Sequence, residues 1–194
     1  MVRVVGLGGA LGDASVTGAA MRRVLAEAES AGAEVVQLDL NELVLPMFDA
    51  RHREGGPAVE RLLTEVRAAD AMVWCSPLYH GTVSGTFKNA LDWLELLARD
   101  ERPYLTDKPI GLVAAAGGTQ GMQAINTMEY AVRALRGLTV PYVVAISRAW
   151  QAFDAEGQPH DEALAGQLAI LGREVVRLGQ WMKAARSPST LGVS

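Results

Sequence analysis

Three glycine-bearing stretches gather the residue types that could do chemistry. The first, Gly8-Gly9-Ala10-Leu11-Gly12, is followed by Asp13, Ser15 and Thr17. A glycine loop that opens a helix presents unpaired N–H groups and the positive end of the helix dipole, which together favour a phosphate. Ser15 and Thr17 would add hydroxyl donors; the plainer alternative is a tight turn with a Ser or Thr cap. A dinucleotide fingerprint needs glycine at its first, third and sixth positions. Gly6 and Gly8 fit, but the sixth position is Leu11, and Asp39 alone makes a weak ribose-binding acid. The second stretch runs from Ser76 through Pro77, Leu78, Tyr79, His80 and Gly81 to Trp93, and the third is Ala116–Gly121, with Gly117 and Gly118 adjacent. His80 has no partner at metal-ligand spacing, since His52 and His160 lie in separate segments. Cys75 sits inside the apolar run Ala71–Cys75 and reads as a small buried hydrophobe.

The elements that must position these stretches alternate between strand and helix. Val2–Leu7 is a strand, and the helix after it carries Met21, Val24, Leu25 and Ala28 on one face and ends at Gly32. Glu34–Leu40 is the second strand, and Asn41–Gly56 a long loop containing Pro46. Pro57 opens a helix with a stripe of Val59, Leu62, Leu63 and Val66. Ala71–Cys75, apolar on both faces, suits a central parallel strand. A loop is expected over Pro77–Val83, a helix over Ser84–Ala98, strands over Ile110–Ala115 and Val140–Ile146, and helices over Met122–Leu135 and Glu162–Ala185. The last helix carries Leu164, Leu168, Leu171, Val175, Leu178 and Met182, a stripe that packing on a sheet explains.

Five strands separated by helices imply one α/β domain over residues 1–186, a doubly wound parallel sheet with right-handed crossovers, and a loose tail over 187–194. Ligands of such sheets sit beyond the carboxyl ends of the strands, at the switch in strand order. The three glycine-bearing stretches all follow strands and so converge there.

The second stretch carries the pattern Pro-x-Tyr-His-Gly-x-x-x-Gly-x-x-Lys-Asn-x-Leu-Asp-Trp over Pro77–Trp93. In this it resembles the NADPH-dependent FMN reductases, flavoproteins of the flavodoxin-like class, and the likeness extends from the first strand to Pro141. The resemblance implies a strand order of 2-1-3-4-5, FMN as bound cofactor and NADPH (or NADH) as co-substrate. It implies that Pro77, Leu78, Tyr79, His80 and Gly81 lie along the isoalloxazine ring and that Ala116, Gly117 and Gly118 approach its other edge. Leu11, Ser15, Val16 and Thr17 fall to the phosphate end. In this reading a hydride passes from nicotinamide through the flavin to free flavin, a quinone, an azo compound or a metal oxyanion. Hydride transfer requires no acid–base residue of the chain, so no catalytic side chain is assigned. Arg51-His52-Arg53 could meet the phosphates of an incoming NADPH, although such a cluster is more often a solvated loop.

The chain departs from the family pattern in the phosphate loop. Ala10 stands where the family has Ser, Gly12 where it has Arg, and Asp13 adds a negative charge. An electron carrier without its own substrate, or a module that has lost its flavin, are the competing readings. On the Ser84–Ala98 helix, Phe87, Leu91 and Leu94 form one apolar face while Trp93 and Leu97 point elsewhere. A helix apolar on two sides is buried on two sides, so this helix is expected at an interface of a homodimer or a dimer of dimers.

Composition narrows the remaining choices. The net charge is −4 with no run of Lys or Arg, which argues against nucleic acid. No apolar stretch approaches the ~20 residues that cross a bilayer, and the lone Cys75 forbids an internal disulfide, as in a reducing cytoplasm.

Overall fold

The computed structural model describes residues 1–9 and 15–186. Its strands are β1 (Arg3–Gly8), β2 (Glu34–Asp39), β3 (Ala71–Tyr79), β4 (Thr82–Val83), β5 (Pro109–Ala115) and β6 (Leu138–Ile146). Its helices are α1 (Val16–Ser30), α2 (Gly56–Ala68), α3 (Gly85–Trp93), α4 (Met122–Ala134) and α5 (Glu162–Ala185). Five strands run parallel in the order β2-β1-β3-β5-β6, and the two-residue β4 pairs antiparallel with the end of β3. The five parallel strands therefore stand in the expected order, with one short strand added.

Alternation along the strands explains the two layers. Val5, Leu7, Met72, Trp74, Leu112 and Ala114 face one core with α2, α3 and α4. Their neighbours Val4, Ala71, Val73, Cys75, Val113 and Ala115 face the other, under α1 and α5. A strand buried on both faces needs no polar alternation, which is why Ala71–Cys75 reads as a continuous apolar run. The direction of winding across the sheet reverses between β1 and β3: α1 leads outward from β1 to β2, and α2 returns on the opposite face to β3. Their carboxyl ends flank the switch point, where ligands of such sheets bind.

Two expectations need correction. The segment Pro77–Val83 is not a loop: β3 continues to Tyr79 and turns back, with Tyr79 opposite Thr82 and Leu78 opposite Val83. The polar turn residues hid this hairpin because its pairing is only two residues long. The expected helix Ser84–Ala98 is α3 followed by a 3-10 turn over Leu94–Leu97.

The second apolar side of that helix also has a different explanation. Trp93 and Leu97 are each 1% exposed, buried within this chain and not at a subunit contact. The 41–55 loop covers Trp93. The indole Nε1 donates to the Pro46 carbonyl at 2.8 Å, and Phe48 packs edge-on against the ring at 5.2 Å. Asn89 completes the clamp, since its Nδ2 donates to Pro46 O and its Oδ1 accepts from Phe48 N. The Lys-Asn-x-Leu-Asp-Trp part of the motif is thus largely a fixture for this loop. Lys88 and Asp92 pair on its outer face at 2.6 Å.

Candidate active site

β1, β3 and β5 lie side by side, so their carboxyl ends deliver the three stretches to one rim. Gly8 pairs with Cys75, and Pro77 with Ala115. Gly8 has to be glycine for a local reason: a Cβ there would stand 2.1 Å from the Cys75 carbonyl oxygen. That close approach lays Gly8 and Gly9 against β3, with Gly9 N donating to Cys75 O at 3.3 Å. Burial pushes the Cys75 thiol pKa far up, so it stays neutral and inert.

At the first stretch Leu11, with Ala10, Gly12 and Asp13, lies outside the described residues. Ser15 caps α1, its Oγ accepting from Gly18 N at 3.0 Å. Thr17 is buried, and its hydroxyl lies 3.1 Å from that of Ser15, with Val16 half-buried between them. The first-turn amides of α1 have no acceptor one turn back within the helix. Hydroxyls, the amides of Val16 and Thr17 and a helix dipole at one point form a donor set suited to a phosphate.

At the second stretch the hairpin turns on His80 (φ 50) and Gly81 (φ 86). Positive φ at both central residues marks a tight hairpin whose twist matches its strands. Histidine in the left-handed region is held at a cost of about 1–3 kcal/mol, a strain typical of ligand-contacting turns. Pro77 is buried and Leu78 half-buried, while Tyr79, His80 and Gly81 are exposed, so the turn presents a phenol, an imidazole and bare backbone to the rim.

Ser76 anchors this hairpin, a role the residue types alone did not reveal. It is fully buried; its Oγ accepts from Ser84 N at 3.1 Å and donates to Pro77 O at 3.0 Å. Ser84 in turn caps α3, accepting from Phe87 N. One side of the hairpin also rests on α4: the Thr82 and Thr127 hydroxyls are 3.4 Å apart, and a Cβ on Gly81 would lie 3.6 Å from Gln123 Oε1.

At the third stretch Ala116 is buried and Gly117 and Gly118 are exposed. The turn is stapled to the end of β6, with Ala116 N donating to Ile146 O at 2.9 Å and Ala149 N to Ala116 O at 3.0 Å. A Cβ on Gly117 would meet nothing within 4 Å. Bare backbone here faces open space, as a flat ring edge approaching it would need.

The assigned residues among those described therefore lie on three adjacent strand ends, with donors at one end and an aromatic turn at the other. They fit a flat ring carrying a phosphate tail. The Arg51-His52-Arg53 cluster stands on the outer loop. Hydrogen bonds from Arg51 and His52 hold the Asp49 carboxyl down at about 2, so Arg51 and His52 are both already partnered.

The family model described as NADPH-dependent FMN reductase matches residues 2–151. Over 189 residues, 97% of this chain and 73% of its relative, the sequence is 29% identical to the NADPH-dependent FMN reductase ArsH of Shigella flexneri. It is 28% identical to an NAD(P)H-dependent FMN reductase of Pseudomonas aeruginosa, covering 95% of this chain and 97% of that one. The fold is similar to that of FerB, a flavoenzyme NAD(P)H:(acceptor) oxidoreductase of Paracoccus denitrificans, with a TM-score of 0.72 at 22% identity over 95% of this chain and 98% of that one. The motif at Pro77–Trp93, the doubly wound sheet and the matched model agree: the chain belongs to the NADPH-dependent FMN reductase family, flavin-dependent oxidoreductases that use FMN and NADPH.

Proposed function

We propose that this chain, one flavodoxin-like unit over residues 1–186, reduces a small-molecule acceptor with electrons from NADPH at a flavin held between the 77–81 hairpin and the 116–118 turn. Bound FMN supplies two-electron redox chemistry between the nicotinamide and the second acceptor. The observation that carries the reading is the strained hairpin: the family motif falls on a turn with left-handed His80 and exposed Tyr79, at the switch point of the sheet.

The chain's own part is binding and orientation. Tyr79 and His80 offer flat contacts along the ring, with Pro77 and Leu78 as the support beneath them. The backbone of Gly81, Ala116, Gly117 and Gly118 reaches the ring's polar edge. Ser15, Val16, Thr17 and the loop through Leu11 take the phosphate. An exposed rim leaves room for nicotinamide and acceptor to use the same face in turn. Free flavin, quinones, azo compounds and metal oxyanions are the acceptor classes to screen.

The test is a titration of the purified protein with FMN, followed by NADPH without oxygen. Stoichiometric FMN binding and rapid bleaching of the flavin's visible absorbance are expected, with recovery when an acceptor is added. A protein that binds FMN but is not reduced by NADPH would be an electron carrier instead, and one that binds no flavin would overturn the reading.

The site belongs in the cytoplasm, where NADPH is replenished, and in a homodimer or dimer of dimers. With Trp93 and Leu97 internal, the support for assembly is now the exposed Tyr79 of the hairpin and the exposed Met122 and Tyr130 of the neighbouring α4. Light scattering at high micromolar concentration should give at least twice the chain mass; a monomer there would refute it.

A further inference from the structure

We propose that Arg22 supplies the positive charge for the cofactor phosphate that the first loop lacks, an inference resting on the FMN reading above. Between Gly9 and Ser15 the sequence has no Lys or Arg and carries the acidic Asp13. A phosphate monoester brings roughly two negative charges, whereas a helix N-terminus offers about half a positive one. Amides and hydroxyls alone leave most of that charge without a cation.

Arg22 is placed to provide one. Ser15, Gly18 and Arg22 follow at spacings of three and four, so they share one face of α1. Helical side chains lean toward the N-terminus of their helix, and Arg22 does so. Its Nη1 lies 3.4 Å from the point where a Gly18 Cβ would stand, and Ser15 Oγ lies 3.2 Å from the same point. The guanidinium therefore reaches back about one turn, to the neighbourhood of the capping hydroxyl. Nη2 turns toward Gly157, 3.7 Å from that residue's Cβ position.

Arg22 forms no ion pair among the described residues. It lines a recess of about 460 Å³ with Ser15, Val16, Trp150, Asp154 and Glu156. The two carboxylates are the obvious competitors, yet Asp154 Oδ1 is turned to its own loop, accepting from Gln158 N at 2.7 Å. An exposed arginine that already faces the cap carries the planar fork of N–H donors that matches a phosphate.

Phosphate recognition is read directly by comparing FMN with riboflavin, which lacks the phosphate. Fluorescence-quenching titrations with both flavins would use the wild type, Arg22→Ala, Arg22→Lys and, as a control of equal charge change, Arg23→Ala. The wild type should prefer FMN. Arg22→Ala should weaken FMN binding about tenfold and leave riboflavin binding unchanged, Arg22→Lys should fall between, and Arg23→Ala should match the wild type. Added salt should weaken FMN binding less in Arg22→Ala than in the wild type. If Arg22→Ala keeps the wild-type preference for FMN, or loses no more of it than Arg23→Ala, the assignment of Arg22 is overturned while the flavin site stands. If the wild type binds neither flavin, the flavin reading itself has failed.

Discussion

At the scale of single residues, the proposed site rests on a few positions whose conformation matters more than their chemistry. Gly81 is one. Its φ of 86 is strained for any side chain, although a Cβ would meet nothing closer than Gln123 Oε1 at 3.6 Å. Valine there would have space but the wrong backbone preference, so the tip of the hairpin would shift while the core stays intact. Gly81→Val should weaken FMN binding by about 5- to 150-fold, a strain of about 1–3 kcal/mol, with little change in the unfolding midpoint. Arg53→Ala, on the outer loop, should leave the FMN affinity at the wild-type value. Equal affinities for the two variants would place the flavin elsewhere. The sequence motif pointed to Gly81 directly. Ser76 was passed over because a serine after a strand looks like any turn residue; its importance comes from a partner eight residues later, Ser84 N.

At the scale of elements, α3 works as a brace. Its inner face packs Phe87 against Trp74 at 5.6 Å, and its other side fixes the 41–55 loop through Asn89 and Trp93. Asn89 is 7% exposed and contributes hydrogen bonds to both Phe48 N and Pro46 O. Asn89→Ala leaves the Phe48 N–H without its acceptor, while Trp93 still serves Pro46. A loss of about 1–3 kcal/mol is expected, read by urea unfolding, together with faster protease cleavage within 41–55. If the variant unfolds with wild-type stability, the clamp is not what holds this loop. The same geometry explains why the interface expectation failed. Periodicity shows that a helix has two apolar sides, but it does not say whether a neighbouring chain or a distant loop of the same chain covers the second.

At the scale of the whole molecule, a polar cluster ties the amino-terminal edge of the sheet to both ends of the chain. Asp70, 8% exposed, accepts from Arg3 N at 3.0 Å and from Lys183 Nζ at 2.7 Å, and Arg186 lies 3.6 Å away. Burial alone would raise its pKa, but Lys183, the Arg3 amide and Arg186 outweigh burial and hold the carboxyl below its usual 3.8. A carboxyl whose pKa is lower folded than unfolded stabilises the fold above the unfolded value, near pH 4. That contribution fades as pH falls through the folded pKa. Asp70→Asn should therefore be about 1–3 kcal/mol less stable than wild type at neutral pH. The gap should narrow below about pH 4; a gap that is constant with pH would show that Asp70 acts through packing and not charge. Nearby, burial and then Arg102 and Arg186 bring Lys108 down to about 8, so this edge of the sheet is electrostatically tuned although it lies at the end away from the glycine-bearing rim.

The sequence by itself determined the doubly wound class, the order of elements, the family motif over Pro77–Trp93 and the faces of most helices. These are local properties: strand and helix periods, glycines after strands, and a motif contiguous along the chain. Buried parallel strands announce themselves as apolar runs, and caps such as Ser15 and Ser84 act within three residues of themselves. Only the tertiary structure decided what depends on contacts between distant segments. It turned Pro77–Val83 into a hairpin leaning on α4, enclosed Trp93 beneath Pro46 and Phe48, and anchored Asp70 to residues 67 and 113 positions away. It also aimed Arg22 back along α1 toward Ser15. Nothing in the residue types along the chain encodes such pairings. They follow from the sheet's packing, which brings side chains together irrespective of their separation in sequence.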